Sequence, residues 1–159
     1  MRVTRSLAIG LALALALTVS GCTSEPSLKD AADELQKDTH RLETDDLFKN
    51  PLMKLRVLQR PEKDIPCDKG KFKRVLRATA DDERADEPLT SHLGRAQAVM
   101  ENVLAQRLGY KVDSDPSQEN TEEGRFIQGS KSSGISVVVY VSPEPPTWRL
   151  HAMTSCLPR

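Results

Sequence analysis

Three cysteines and three histidines are the side chains in this sequence best suited to covalent, acid–base or metal chemistry. Cys22, Cys67 and Cys156 include no Cys-x-x-Cys pair, and no histidine stands at ligand spacing from Cys67 or Cys156, so the pattern is that of neither a dithiol redox centre nor a zinc site. His40, His92 and His151 are scattered, and Gly-x-Ser-x-Gly is absent. A nucleophile would need such a recognisable turn, and Ser132-Ser133-Gly134 reads instead as a hairpin turn. The acidic residues Asp81, Asp82, Glu83, Asp86 and Glu87 lack the spacing of a calcium loop, and Pro88 follows where a ligand would be useful. They read as a solvated loop. Gly-rich phosphate loops are also absent. These residues predict no enzyme and no metal or organic cofactor.

The N-terminus carries a different chemistry. Arg2 and Arg5 precede an apolar run of 13 residues, Leu7 to Val19. A basic start and a short apolar run form the pattern of a secretory signal. A membrane span needs about 20 apolar residues. Val19-Ser20-Gly21-Cys22 then resembles the lipobox of bacterial lipoproteins: an apolar residue, two small residues that admit the backbone to a signal peptidase, and the cysteine. The resemblance implies cleavage after Gly21, a diacylglyceryl group on the Cys22 thiol and residence on the extracytoplasmic face of the cell membrane. The covalent lipid is then the only attached group expected. Two or more acyl chains anchor stably, since each buried CH₂ contributes about 0.8 kcal/mol.

Residues 1–21 hold two arginines and no acid, so the 138 residues that remain carry a formal charge of −2. That length suits one domain with a modest core, and its charge makes no case for nucleic acid. Export places Cys67 and Cys156 where disulfides persist, and after Cys22 they are an even pair. A Cys67–Cys156 bridge is predicted. It closes a loop of about 90 residues, worth on the order of 4 kcal/mol in the chain-entropy model.

The strongest compositional signal is an asymmetry of charge. Between Lys49 and Arg77 ten basic residues face Glu62, Asp64 and Asp68, a local charge of +7 in a chain of zero formal net charge. Lys69, Lys71, Lys73, Arg74 and Arg77 are its densest part and the candidate contacts for an anionic lipid surface or wall polymer. Each basic residue near such a surface contributes about 1 kcal/mol, screened by salt. The competing reading is a solvated strand face paired with an acidic helix.

The elements that must position these residues follow from periodicity and breakers. Residues 22–51 read as a lipidated tether and an acidic helix. Ser27 caps the helix, Asp30 sits in the first turn, and Leu28, Ala31, Ala32, Leu35, Thr39 and Leu42 follow at helical spacing to about Leu47. Its apolar stripe is thin and its charge acidic, which leaves two arrangements open, a weakly packed stalk or a helix packed on the domain. Residues 52–159 read as an α+β domain. A short strand is predicted at 55–59, a loop at 61–70 that holds Cys67, and a strand over 71–80. A helix capped by Thr90 or Ser91 presents Leu93, Ala96, Met100, Val103, Leu104 and Leu108 and stops at Gly109. A strand starts near Tyr110–Val112, and 113–124 is polar loop. Strands follow at 125–128, 135–142 and 148–156, with turns at 129–134 and 143–146. The fold class is α+β: a small antiparallel sheet packed by one main amphipathic helix and preceded by the acidic helix.

From Cys67 through Gly70-Lys71-Phe72-Lys73-Arg74-Val75 to Thr154-Ser155-Cys156-Leu157, with Gly109-Tyr110 between, the chain resembles a group of small uncharacterised lipoproteins of high-GC Gram-positive bacteria. In these a Cys precedes a basic strand, a helix ends in Gly-Tyr and the last strand ends in Thr-x-Cys-Leu. The likeness covers roughly residues 65–158 and the lipobox. It implies a membrane-anchored, disulfide-bridged domain and carries over no catalytic residues. The resulting expectation is a non-enzymatic binding or scaffold module at the cell envelope. The alternative is a small envelope hydrolase or hydrolase inhibitor, for which a deep pocket joining His92 or His151 to a carboxylate would be the sign.

Overall fold

A computed structural model of the protein describes residues 26–84, 86–114, 117 and 122–159. The export segment, the lipobox and Cys22 lie outside the described residues, as do 115–116 and 118–121 of the polar loop.

The first helix, α1 (Leu28–Thr44), starts where its cap directs. The Ser27 hydroxyl accepts from the Asp30 N–H at 3.1 Å. The helix is not a stalk: Leu28, Ala31, Leu35 and Leu42 are buried, and it packs on the sheet. A thin stripe suffices because Ala31 and Ala32 let the backbone approach closely while Leu35 and Leu42 reach the core. Its polar members are satisfied as well, Thr39 donating to the Leu35 carbonyl at 2.8 Å. The helix ends at Thr44, short of Leu47, because Asp45 turns extended and its carboxylate caps the Leu47 N–H at 2.9 Å. That begins a 3₁₀ turn at Asp46–Lys49, and Asn50 caps a second at Pro51–Met53.

Four strands follow: β1 (Arg56–Gln59), β2 (Ile65–Asp68), β3 (Lys71–Lys73) and β4 (Val75–Ala80). After α2 (Leu89–Asn102) come β5 (Lys111–Ser114), β6 (Arg125–Lys131), β7 (Ile135–Val141), β8 (Trp148–Thr154) and β9 (Leu157–Pro158). All pairings are antiparallel. One sheet has the order β1-β4-β8-β7-β6-β5 and a smaller one the order β2-β3-β9. The α+β class expected from the pattern is therefore the class observed.

Several local expectations are corrected. The supposed loop at 61–70 contains β2, which pairs with β3. The single strand expected over 71–80 is two strands in two sheets. The break is at Arg74, whose N–H and carbonyl both bond to Thr154, at 3.0 Å each. That clamp leaves β4 on β8 and sends β3 to β9. Strand β6 runs to Lys131, so the turn shrinks to the residues before Ile135, closed by Gly134 N–H to the Lys131 carbonyl at 3.1 Å. Asp113 and Ser114, assigned to loop, belong to β5. Neither Thr90 nor Ser91 caps α2; the helix starts at Leu89, directly after Pro88, with no side-chain cap. Its last turn passes into a π-helical segment, Val103–Arg107, before Gly109 at φ 75°. Leu93, Ala96, Met100, Val103, Leu104 and Leu108 are all buried, as their spacing predicts.

Both helices lie on one face of the six-stranded sheet, α1 on β8 and α2 on β6 and β7. Leu76, Ile127, Val137, Val139, Trp148 and Leu150 line that inner face. The Trp148 ring meets Phe48 edge-on at 6.3 Å, and its indole N–H donates to the Ala96 carbonyl at 3.0 Å, fastening α2 to the sheet. Gly129 is needed on this face. A Cβ there would stand 3.0 Å from Val137 Cγ1 and 3.3 Å from Tyr110 Cβ.

Candidate functional site

The Cys67–Cys156 disulfide is present, with Cα atoms 6.0 Å apart. It ties β2 to the segment between β8 and β9, and so fixes the β2–β3 hairpin to the end of the main sheet. The same end receives the chain. A Cβ on Gly134 would stand 3.3 Å from Ser155 Oγ and 3.8 Å from Pro26 Cγ, so Pro26 sits beside the β6–β7 turn and the start of β9.

The acidic run beside His92 is held in ion pairs and hydrogen bonds. His92 is buried, its Nδ1 3.2 Å from Arg95. Arg95 bonds Asp82 at 2.8 Å and Glu87 at 2.6 Å, and Thr147 donates to Asp81 at 2.8 Å. The acidic run thus anchors the start of α2 and the start of β8 rather than lying free in solvent. Among the described residues no group of three or more histidines, cysteines or carboxylates is arranged to hold a metal ion. His92 Nε2 is buried without a described partner, but the surface cavities near Pro51–Pro146 and along α1 are lined by neither His92 nor His151.

The sequence-predicted basic residues divide into three fates. Arg74 is spent on structure: it bonds Asp64, which Arg159 also holds, and donates to the Pro61 carbonyl at 2.9 Å. Asp64 lies below the ordinary carboxylate range, first because of the Arg74 hydrogen bond. Lys69 and Lys71 are exposed at the tip of the hairpin, at the end where Pro26 enters. Arg77 lies on the face of the large sheet left uncovered among the described residues, and Lys73, on β3, stands close to it. There they flank His151, and burial together with these two cations holds its imidazole below its ordinary pKa. Elsewhere in the basic segment, Arg60 pairs with Glu43 of α1, and Lys49 with Asp46 in the 3₁₀ turn that follows the helix.

The uncovered face has an order visible only in the strand register. Paired residues share a face, which gives one row of Phe126, Tyr140, Arg149, Thr79 and Arg56 across β6, β7, β8, β4 and β1. A second row runs Gln128, Val138, His151 and Arg77. In the first row the Phe126 and Tyr140 rings are 4.9 Å apart, and the Arg149 guanidinium lies 5.7 Å from the Tyr140 centroid. Tyr140 donates to the Glu123 carbonyl at 2.8 Å. Its ring lies over Gly124, at φ 101°, where a Cβ would come 2.5 Å from the hydroxyl oxygen. The row ends at a cavity of about 360 Å³ lined by residues that include Leu52, Lys54, Arg56, Asp81, Pro145 and Pro146. Arg56, Arg77 and Arg149 have no carboxylate partner among the described residues. The carboxylate in register with these rows is Asp113, on β5 at the opposite edge.

Arg149, Tyr140 and the cavity were not singled out from the sequence, and Arg56 entered there as one of the ten cations between Lys49 and Arg77. The available signal was the period-two alternation of β7 and β8, which turns Tyr140, Arg149 and His151 away from the core. Comparison with protein-family models, with curated proteins and with solved structures finds no match to this chain.

Proposed function

We propose that this protein is a lipid-anchored, extracytoplasmic binding module rather than an enzyme, held by acylated Cys22 with its β2–β3 hairpin toward an anionic membrane surface. The observation that carries this is the shared end. Pro26 enters beside the β6–β7 turn and the start of β9, and the hairpin bearing Lys69 and Lys71 projects from that end. Four residues from Cys22 to Pro26 reach at most about 14 Å, so an anchor there brings these lysines to the headgroups. Asp68 is the acid nearest the tip. Lys73 and Arg77 continue the positive surface upward to the uncovered sheet face. The lipobox and the resemblance to small lipoproteins of high-GC Gram-positive bacteria support the anchor.

Two measurements test the reading. Intact mass of the protein from its native membrane, beside a Cys22→Ala variant, is expected to show loss of 21 residues and gain of acyl mass. The soluble domain starting after Cys22 is expected to co-sediment with anionic liposomes at low salt and release at high salt. Lys69→Gln with Lys71→Gln should lower partitioning by roughly thirtyfold, at about 1 kcal/mol per lysine. An unlipidated, released protein would remove the anchor, and salt-independent liposome binding would remove the hairpin's role.

A further inference from the structure

We infer that the uncovered face of the large sheet, with the cavity at its β1 edge, binds a phosphate-bearing polysaccharide. The inference rests on the reading of the protein as an envelope binding module but uses different residues from the hairpin.

A phosphodiester needs planar donors or ammonium groups without competing carboxylates, and Arg56, Arg77 and Arg149 meet that condition on three neighbouring strands. Strands lie about 4.8 Å apart, so the three guanidinium groups span several ångströms of surface. That matches successive charges along a chain better than a single small anion. Sugar rings present flat C–H faces, which aromatic rings accept. Tyr140 stands in the same row as Arg149 and Arg56, its ring fixed by the Glu123 carbonyl, by Phe126 and by the close approach of Gly124. Beyond Arg56 the row opens into the 360 Å³ cavity, where Leu52, Pro145 and Pro146 offer apolar walls and Lys54 a further cation. That is a cavity of pocket size with a mixed lining, Lys54, Arg56, Thr79 and Asp81 standing beside its apolar walls. Asp81, the acid in its wall, is already engaged by Thr147.

Single-stranded nucleic acid is the other polymer of alternating phosphate and ring. The formal charge of −2 on the chain after residue 21 and the short aromatic row favour the polysaccharide. A bilayer is a poorer fit, because the hairpin, not this face, projects from the end where the chain enters.

The test is a titration of the soluble domain with four probes: phosphomannan, unphosphorylated mannan, poly-glutamate and a single-stranded DNA oligonucleotide. Phosphomannan is expected to bind tightest. Arg56→Gln with Arg149→Gln should weaken it by about a hundredfold, with the thermal melt unchanged because both side chains are exposed. His151 supplies a local readout. It pairs with Arg77 on β4 and Val138 on β7, with Arg149 two residues away on β8 and Lys73 of β3 close enough to act on its charge. A bound phosphate among these cations should raise its imidazole pKa, followed by NMR, and binding should tighten as pH falls through that value. Equal affinity for poly-glutamate, tighter DNA binding, or an unmoved His151 would overturn the assignment. In each of these cases the hairpin's salt-dependent liposome binding would stand or fall separately. Failure to bind both phosphomannan and anionic liposomes would remove the broader reading too.

Discussion

Lys131 shows how one residue converts an acidic helix into a core element. Its ammonium is almost fully buried, bonds both Asp38 oxygens at 2.9 and 2.7 Å and Glu34 at 3.0 Å, and lies 4.6 Å from the Tyr110 ring centroid. Tyr110 donates to Asp38 at 2.9 Å. Burial raises Asp38 above the ordinary carboxylate range despite these bonds, and pushes the Tyr110 phenol far up. The carboxylate therefore depends on its partners. Lys131→Met should cost about 3–5 kcal/mol, because a buried charge is left unpaired. Adding Asp38→Asn should restore part of the loss in urea unfolding. A single-variant loss below about 0.5 kcal/mol would mean that the network contributes nothing. Asp38 is also legible in retrospect: it occupies a position on the apolar stripe between Leu35 and Leu42.

Among the elements, α1 is the one whose packing its sequence left open. Seven acids in the stretch from Lys29 to Asp46 suggested a solvated rod. Yet most of those charges face outward, and the stripe beneath them is packed. Leu35 is fully buried, so Leu35→Ala should cost about 2–5 kcal/mol in equilibrium unfolding. A stalk would lose only a few tenths. Strand β4 teaches the complementary lesson. Its apolar alternation was clear, but where it begins was not, because the break at Arg74 is made by Thr154 from a strand 80 residues later.

For the whole molecule, the disulfide ties β2 of the small sheet to the segment that leaves β8 of the large one, beside the Arg74–Thr154 clamp. Its sequence separation of 89 residues makes it worth on the order of 4 kcal/mol through the unfolded state. Reduction should lower the denaturant midpoint accordingly. It should also loosen the β2–β3 hairpin before the six-stranded sheet, an order that hydrogen exchange at Phe72 and Val139 can resolve. Simultaneous exchange of both would place the hairpin in the same cooperative unit as the core.

What the sequence determined by itself was local or arithmetic. Helical spacing in Leu93–Leu108, alternation in Ile135–Val141, the Ser27 cap and the even pair Cys67 and Cys156 each depend on neighbours in the chain or on a count, and each appears in the fold. What the tertiary structure alone decided was long-range. The pairing of Arg74 with Thr154, the burial of Asp38 under Lys131 and the alignment of Tyr140 with Arg149 and Arg56 join residues far apart in sequence. Strand register sets them, and register follows from how a whole face is buried rather than from any segment of the chain.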